Sequence, residues 1–188
     1  MKIIIITLFF VLNVGCVFAQ KTEKNNILMG GMFYGTSIGT FSNNYGNNSG
    51  VATCLGGRLS FFVNKTIYIG GRGNSITFKY EDPSVYRIGS GGVTCGYILM
   101  KPKFVFTAGF FGGGGRIINT HITGRQGNLY IADITSDSYF FAAPELTFSY
   151  RLSEKIGFLL MADYGIFSKG NPGVKNRIDV CAGIVFFR

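Results

Sequence analysis

Tryptophan is missing from this 188-residue chain, histidine occurs once, and proline only four times. Acidic residues are scarce as well: 9 Asp and Glu stand against 18 Lys and Arg, a formal net charge of +9. His121 and four scattered cysteines match no zinc-ligand spacing, so neither a metal nor a cofactor is expected. The cysteines are also too sparse for the disulfide framework of a small exported domain. Cys54, Cys95 and Cys181 read instead as small apolar strand residues. Charged residues make up only 14% of the chain, well below the share that keeps an ordinary soluble domain wetted. Beyond the N-terminal leader no apolar run approaches the ~20 residues that a spanning helix requires.

The leader itself is informative. Lys2 precedes the nearly unbroken apolar run Ile3–Val14, and Val17-Phe18-Ala19 supplies small or modest side chains before Gln20. This is the pattern of a cleaved signal peptide over residues 1–19, with the mature chain starting at Gln20. Lipidation at Cys16 is the alternative, and Asn13 suits it poorly. Residues 20–188 suffice for a single domain.

What the chain does contain is apolar sequence in short pieces: 47% hydrophobic residues, 28 Gly, 19 Phe and 10 Tyr. An exported chain this apolar, without helical spans, fits an all-β fold, an eight-stranded antiparallel up-and-down transmembrane β-barrel. Strands are expected at about 27–41, 51–63, 66–79, 85–100, 104–118, 139–152, 156–168 and 177–187. The connections alternate in length. Asn64-Lys65, Lys101-Pro102-Lys103 and Ser153-Glu154-Lys155 are tight turns. Ser42–Gly50, Glu81–Ser84, Asn119–Ser138 and Lys169–Asn176 are richer in Asn, Gly, Ser and Asp and read as loops. Short turns at one end and loops at the other put both termini on the periplasmic side.

Parity assigns the faces. In the sixth strand Phe140, Ala142, Pro144, Leu146, Phe148, Tyr150 and Leu152 carry no charge, whereas Glu145 and Arg151 share the other face. The seventh sets Ile156, Phe158, Leu160, Ala162, Tyr164 and Ile166 against Asp163, and the eighth sets Ile178, Val180, Ala182, Ile184 and Phe186 against Arg177 and Asp179. The second turns Arg58 and Ser60 inward. A charge at the lipid midplane costs about 2–4 kcal/mol, which confines charges to one parity. Glycine runs blur the first, fourth and fifth strands. A soluble barrel of the lipocalin kind would reverse this polarity, and the strands hold too few charges for it. With no Trp, interfacial girdles fall to Tyr68, Tyr97, Tyr139, Tyr150 and Phe186.

The architecture, together with a closing strand Ile178–Phe187 that ends on an aromatic residue before Arg188, resembles the small outer-membrane β-barrel domain family. That group comprises OmpA- and OmpX-like barrels and porin-like outer membrane proteins. The resemblance spans residues 20–188 and implies outer-membrane placement and insertion by the barrel-assembly machinery. It implies no reaction.

Chemistry-bearing residues are few. His121 lies in the 119–138 segment with Thr123, Asp133, Asp137 and Ser138, where a His could activate a hydroxyl at the outer rim. A solvated loop histidine is the favoured reading, since no sequence motif ties His121 to such chemistry, and no catalytic residue is assigned. Gly112–Gly115 lacks the Lys-Ser/Thr of a phosphate loop and is expected to bend the fifth strand. Pro144 removes a ladder donor mid-strand and is expected to leave one bulge or a missing ladder bond, with a weak seam between strands five and six as the functional alternative. Lys65, Lys101, Lys103, Arg151 and Lys155 ring the periplasmic end, with Arg116, Arg125, Lys169 and Lys175 at the outer end. In a barrel this positive balance suits outer-membrane lipids and lipopolysaccharide rather than nucleic acid. Arg58, Arg72, Glu145, Asp163 and Asp179 point inward at comparable depths and are expected to form a cross-barrel charge network, with Thr147 and Ser149 completing its hydrogen bonds. The function expected is a structural or surface-interaction barrel with a plugged lumen. A narrow channel for small or apolar solutes and a lipid A-modifying rim enzyme are the alternatives.

Overall fold

The computed structural model describes residues 28–43, 46–79, 84–127, 129–168 and 174–188. The leader, Cys16 and the expected cleavage site at Gln20 lie outside the described residues. Eight strands follow one another: β1 (Leu28–Asn43), β2 (Gly46–Phe62), β3 (Ile67–Lys79), β4 (Val85–Met100), β5 (Phe104–Gln126), β6 (Leu129–Arg151), β7 (Ile156–Phe167) and β8 (Val174–Phe187). Each pairs antiparallel with the next, and β8 returns to β1, giving a closed barrel. Leu28 and Arg188 complete that seam with two backbone hydrogen bonds of 2.8 and 2.9 Å.

The wall is sorted by the side chains' period of two. On β6, Tyr139, Phe141, Ala143, Glu145, Thr147 and Ser149 are buried, while Phe140, Leu146, Phe148 and Tyr150 are exposed on the outside. β7 and β8 alternate the same way, with Asp163, Arg177 and Asp179 buried and Leu160, Ile166, Val180 and Ile184 exposed. An apolar exterior over a polar interior is the polarity of a membrane barrel, not of a soluble one. The glycines of β4 and β5 have a steric reason on the inner face. A Cβ at Gly92 or Gly113 would run into the backbone of the facing strand, as would one at Gly96. These positions let the wall curve tightly enough for eight strands to close.

Three expectations are corrected, and the missing ladder bond at Pro144 is located. The segment 119–138 is not a loop. β5 and β6 pair continuously out to Gln126↔Leu129, with one register shift between Ile122 and Gly124, and the turn uses Gly127 at φ +62°. Ile118, Ile122, Ile131, Ile134 and the interleaved threonines sustain the ladder, because β-branched residues favour extended backbone whatever the polarity of their neighbours. The Ser42–Gly50 connection likewise shortens, with Asn43↔Gly46 already paired, and β8 begins at Val174. Tyr68 and Tyr139 are 0% and 3% exposed and face the lumen rather than a girdle, as the parity they share with Arg72 and Glu145 requires. Finally, Pro144 keeps its place opposite Phe110 on β5, whereas the β6–β7 ladder passes from Ala142↔Ile166 to Glu145↔Asp163 without Ala143 or Pro144. The missing proline donor therefore interrupts the β6–β7 side, because the ring nitrogen faces β7.

Candidate functional site: the luminal charge cluster

Two rows of like charge face each other across the lumen. Arg58 on β2 stands directly opposite Arg72 on β3 in the ladder. Glu145, Asp163 and Asp179 stand in one row across β6, β7 and β8. Like charges side by side on a sheet are unfavourable alone, so each row depends on the other wall.

The two walls meet. Arg58 Nη2 donates to Glu145 Oε1 at 3.4 Å, and Arg72 Nη1 donates to Glu145 Oε2 at 3.2 Å. Arg72 Nη2 also lies 2.7 Å from Asp163 Oδ2. β2 and β6 are diametrically opposite in the closed strand order, and so are β3 and β7. These contacts therefore cross the full width of the barrel. Tyr68 donates its hydroxyl to Glu145 Oε1 at 2.9 Å, and Arg58 Nη2 also donates to Ser60 Oγ at 3.2 Å. The Arg72 guanidinium sits over the rings of Phe33 at 5.1 Å and Phe111 at 4.6 Å, so aromatic faces cover it where carboxylates do not.

Arg58, Arg72, Glu145 and Asp163 are thus brought into one connected cluster. Asp179 adjoins it in the ladder, but its ion pair is with Arg177 at 3.0 Å, and it accepts from Asn74 Nδ2 at 3.4 Å. Arg177, itself stacked over Phe167 at 5.3 Å, was turned inward by parity but not counted in the network, and Tyr68 and Asn74 were not counted either. The signal was available, since Arg177 shares the inward parity of Asp179 two residues on. With it, three arginines balance three carboxylates among the buried charges of the described residues. Thr147 and Ser149 do not join the network. Thr147 bonds Thr107 on the neighbouring strand, and Ser149 donates to the Met29 sulfur at 3.9 Å.

The rim candidates come together only in part. His121 faces Asp133 across the β5–β6 ladder, and Ser84 Oγ lies 3.5 Å from its Nδ1. Ser84 is 1% exposed, and its oxygen accepts from the Ile122 amide at 2.9 Å. Thr123 donates to the Ile131 carbonyl, Asp137 pairs with Ile117 and Ser138 with Arg116. Cys54, Cys95 and Cys181 are free thiols within strands. Among the described residues no three His, Cys, Asp or Glu side chains converge as a metal-binding group.

No protein-family model and no curated protein matches the chain. Solved structures do. Neisserial surface protein A superposes with a TM-score of 0.56 at 9% identity, covering 88% of this chain and 99% of that one. Ail, the attachment invasion locus protein of Yersinia pestis, solved in complex with a heparin analogue, gives 0.54 at 11% identity, covering 86% and 99%. The N-terminal β-barrel domain of Pseudomonas aeruginosa OprF gives 0.53 at 11% identity, covering 89% and 100%. The chain has the fold of the small eight-stranded outer-membrane β-barrels.

Proposed function

We propose that this protein is an integral outer-membrane barrel with a structural or surface-interaction role, and that its lumen is closed by its own side chains. The observation that carries the reading is the pair of contacts between diametrically opposed strands, Arg58–Glu145 and Arg72–Asp163. An eight-stranded barrel has an interior barely wide enough for its side chains, and an ion pair across its diameter leaves a solute no straight path. The exposed apolar belt supports placement in a bilayer. The expected leader supports export, and the closing strand supports delivery by the barrel-assembly machinery. Outer-membrane lipids and lipopolysaccharide are the partners such a belt and its basic rims would meet.

Planar-bilayer recordings test the closed lumen: the purified protein should show no steady conductance. An open, steadily conducting pore would replace this reading with that of a narrow channel. Fractionation should place the protein in outer membranes with Gln20 at its N-terminus by intact mass. Lipid A from cells with and without the protein should have the same mass, and a change would favour a rim enzyme.

A further inference from the structure

The outward face of the barrel is uneven in charge. Lys79 on β3, Arg87 on β4 and Arg116 on β5 are exposed and share the outward parity of Ile69, Val93 and Phe110. At the corresponding height the outward positions on β6, just past β7 and on β1 are Ser138, Ser168 and Thr40, none of them charged. Arg87 pairs with Ile118 and Arg116 with Gly89, which makes the two arginines diagonal neighbours with Cβ atoms about 7–8 Å apart or somewhat less. Lys79 precedes Glu81 and Asp82 in sequence, so the two arginines are the stronger pair. Arg116 Nε donates to Ser136 Oγ, and neither arginine takes part in an ion pair among the described residues. Asp133 and Asp137 on the adjoining hairpin have the opposite parity.

Height decides what these cations meet. Lys79, Arg87 and Arg116 each lie 12 residues along their strand from the lowest outward apolar residue, Ile67, Leu99 and Phe104 respectively. Allowing for strand tilt, that is roughly 30 Å along the barrel axis, just above an apolar band of about 25 Å. The guanidiniums therefore stand at the phosphate level of the outer leaflet. Directly beneath, glycines fill much of the lipid-facing wall: Gly57, Gly73, Gly91 and Gly114 occupy one ladder row, Gly71 and Gly112 flank Val93 in the row below, and Gly89 lies beside Ser75 in the row above. Among them Gly114 is crowded, since a Cβ there would lie 3.3 Å from the Tyr139 carbonyl and against the Phe140 ring, but others are not demanded by packing. A Cβ at Gly91 would meet nothing within 4 Å, and at Gly71, Gly73, Gly89 and Gly112 the nearest atoms are 3.6–4.0 Å away. Glycine weakens a strand, yet here it leaves a smooth recess spanning three strands, about 10 Å wide, beside the exposed Val93 and Phe110.

We infer that the outer rim of β3–β5 binds a phosphorylated, multiply acylated glycolipid of the outer leaflet. Arg87 and Arg116 engage its phosphates, and the glycine recess seats its acyl chains. This deepens the outer-membrane reading and rests on it. Charge complementarity selects phosphate, and a recess wider than one hydrocarbon chain selects a lipid that carries several.

The test is native mass spectrometry of the detergent-solubilised protein with three probes: diphosphorylated lipid A, the same lipid with both phosphates removed, and phosphatidylglycerol. The wild type should retain diphosphorylated lipid A in preference to the other two. Arg87→Gln with Arg116→Gln should weaken that retention roughly ten- to thirtyfold, whereas Lys65→Gln with Lys103→Gln at the opposite end should leave it unchanged. Gly91→Leu, at a position where a Cβ meets nothing within 4 Å, should also reduce it. Undiminished binding by the double arginine variant, equal binding of the dephosphorylated lipid, or equal binding of phosphatidylglycerol would each overturn the site. Gel mobility before boiling verifies folding, and if the double variant does not fold, Arg116→Gln and Gly91→Leu decide. Failure of the outer-membrane reading registers elsewhere, as conductance or absence from the outer-membrane fraction.

Discussion

β5 and β6 are the two longest strands, 23 residues each, and their two halves obey different rules. Between Phe104 and about Gly115, and between Tyr139 and Arg151, each residue faces either lumen or lipid, and burial alternates strictly along β6. Beyond them the same strands continue as a hairpin in which Leu129, Tyr130, Ile131, Ala132, Asp133 and Ile134 are all exposed, whichever way they point. Both halves are antiparallel ladders with the same hydrogen bonding. Polarity alternation is therefore not a property of the strand. It is imposed by two different surroundings, and it vanishes where both faces meet the same one.

The strongest way to break the comparison is at adjacent glycines in the wall. Gly113→Val should abolish the heat-modifiable folded band, because its Cβ meets the backbone of β4, while Gly112→Val should still fold. Equal behaviour of the two would show that the faces are not distinct. Next in size is Glu145→Ala, which strips one carboxylate from two buried arginines and a tyrosine. It should cost about 3–5 kcal/mol in urea unfolding from vesicles, and a loss below 1 kcal/mol would mean that the cross-lumen pairs are idle. Pro144→Ala restores a donor towards β7 and should gain up to about 1 kcal/mol; a loss would show that the fixed proline φ matters more than the missing bond. In the hairpin, Ile134→Thr, at a side chain 65% exposed, should stay within about 0.5 kcal/mol of wild type. A larger loss would mean that the hairpin is packed against something.

The sequence made the wall legible for the same reason. Glu145 and Asp163 each sit in an otherwise uncharged stretch and Asp179 shares its face with Arg177, so parity alone turns them inward, and the tight turns at Asn64-Lys65 and Ser153–Lys155 phase the strands. Tyr68 and Tyr139 obeyed the same parity, but an aromatic residue near a strand end suits a membrane interface as well as a lumen. Arg177 was placed on the inward face without a partner, although its ion pair is with Asp179 on the same face of the same strand; only its place over Phe167 depends on how β7 and β8 align. The hairpin was hard to read. Asp133, Ser136 and Asp137 are residues that loops use, and with both faces exposed their polarity does not alternate, so only the β-branched Ile118, Ile122, Ile131 and Ile134 marked a paired strand.

The segregation of charge by wall has a consequence for assembly. Both arginines of the central cluster come from early strands and the carboxylates from late ones, and the partners are 73 to 91 residues apart in sequence. In a flat or half-curled sheet Arg58 already neighbours Arg72, and Glu145 already neighbours Asp163, so each growing half accumulates repulsion there, while Asp179 has Arg177 as a partner on its own strand. Only when β8 reaches β1 do the opposite signs come together, and the electrostatic reward arrives in one step at the end. Partly closed intermediates are thereby disfavoured, and the central ion pairs act as a proofreading device: a sheet joined out of register would leave its charges stranded in the interior and come apart again.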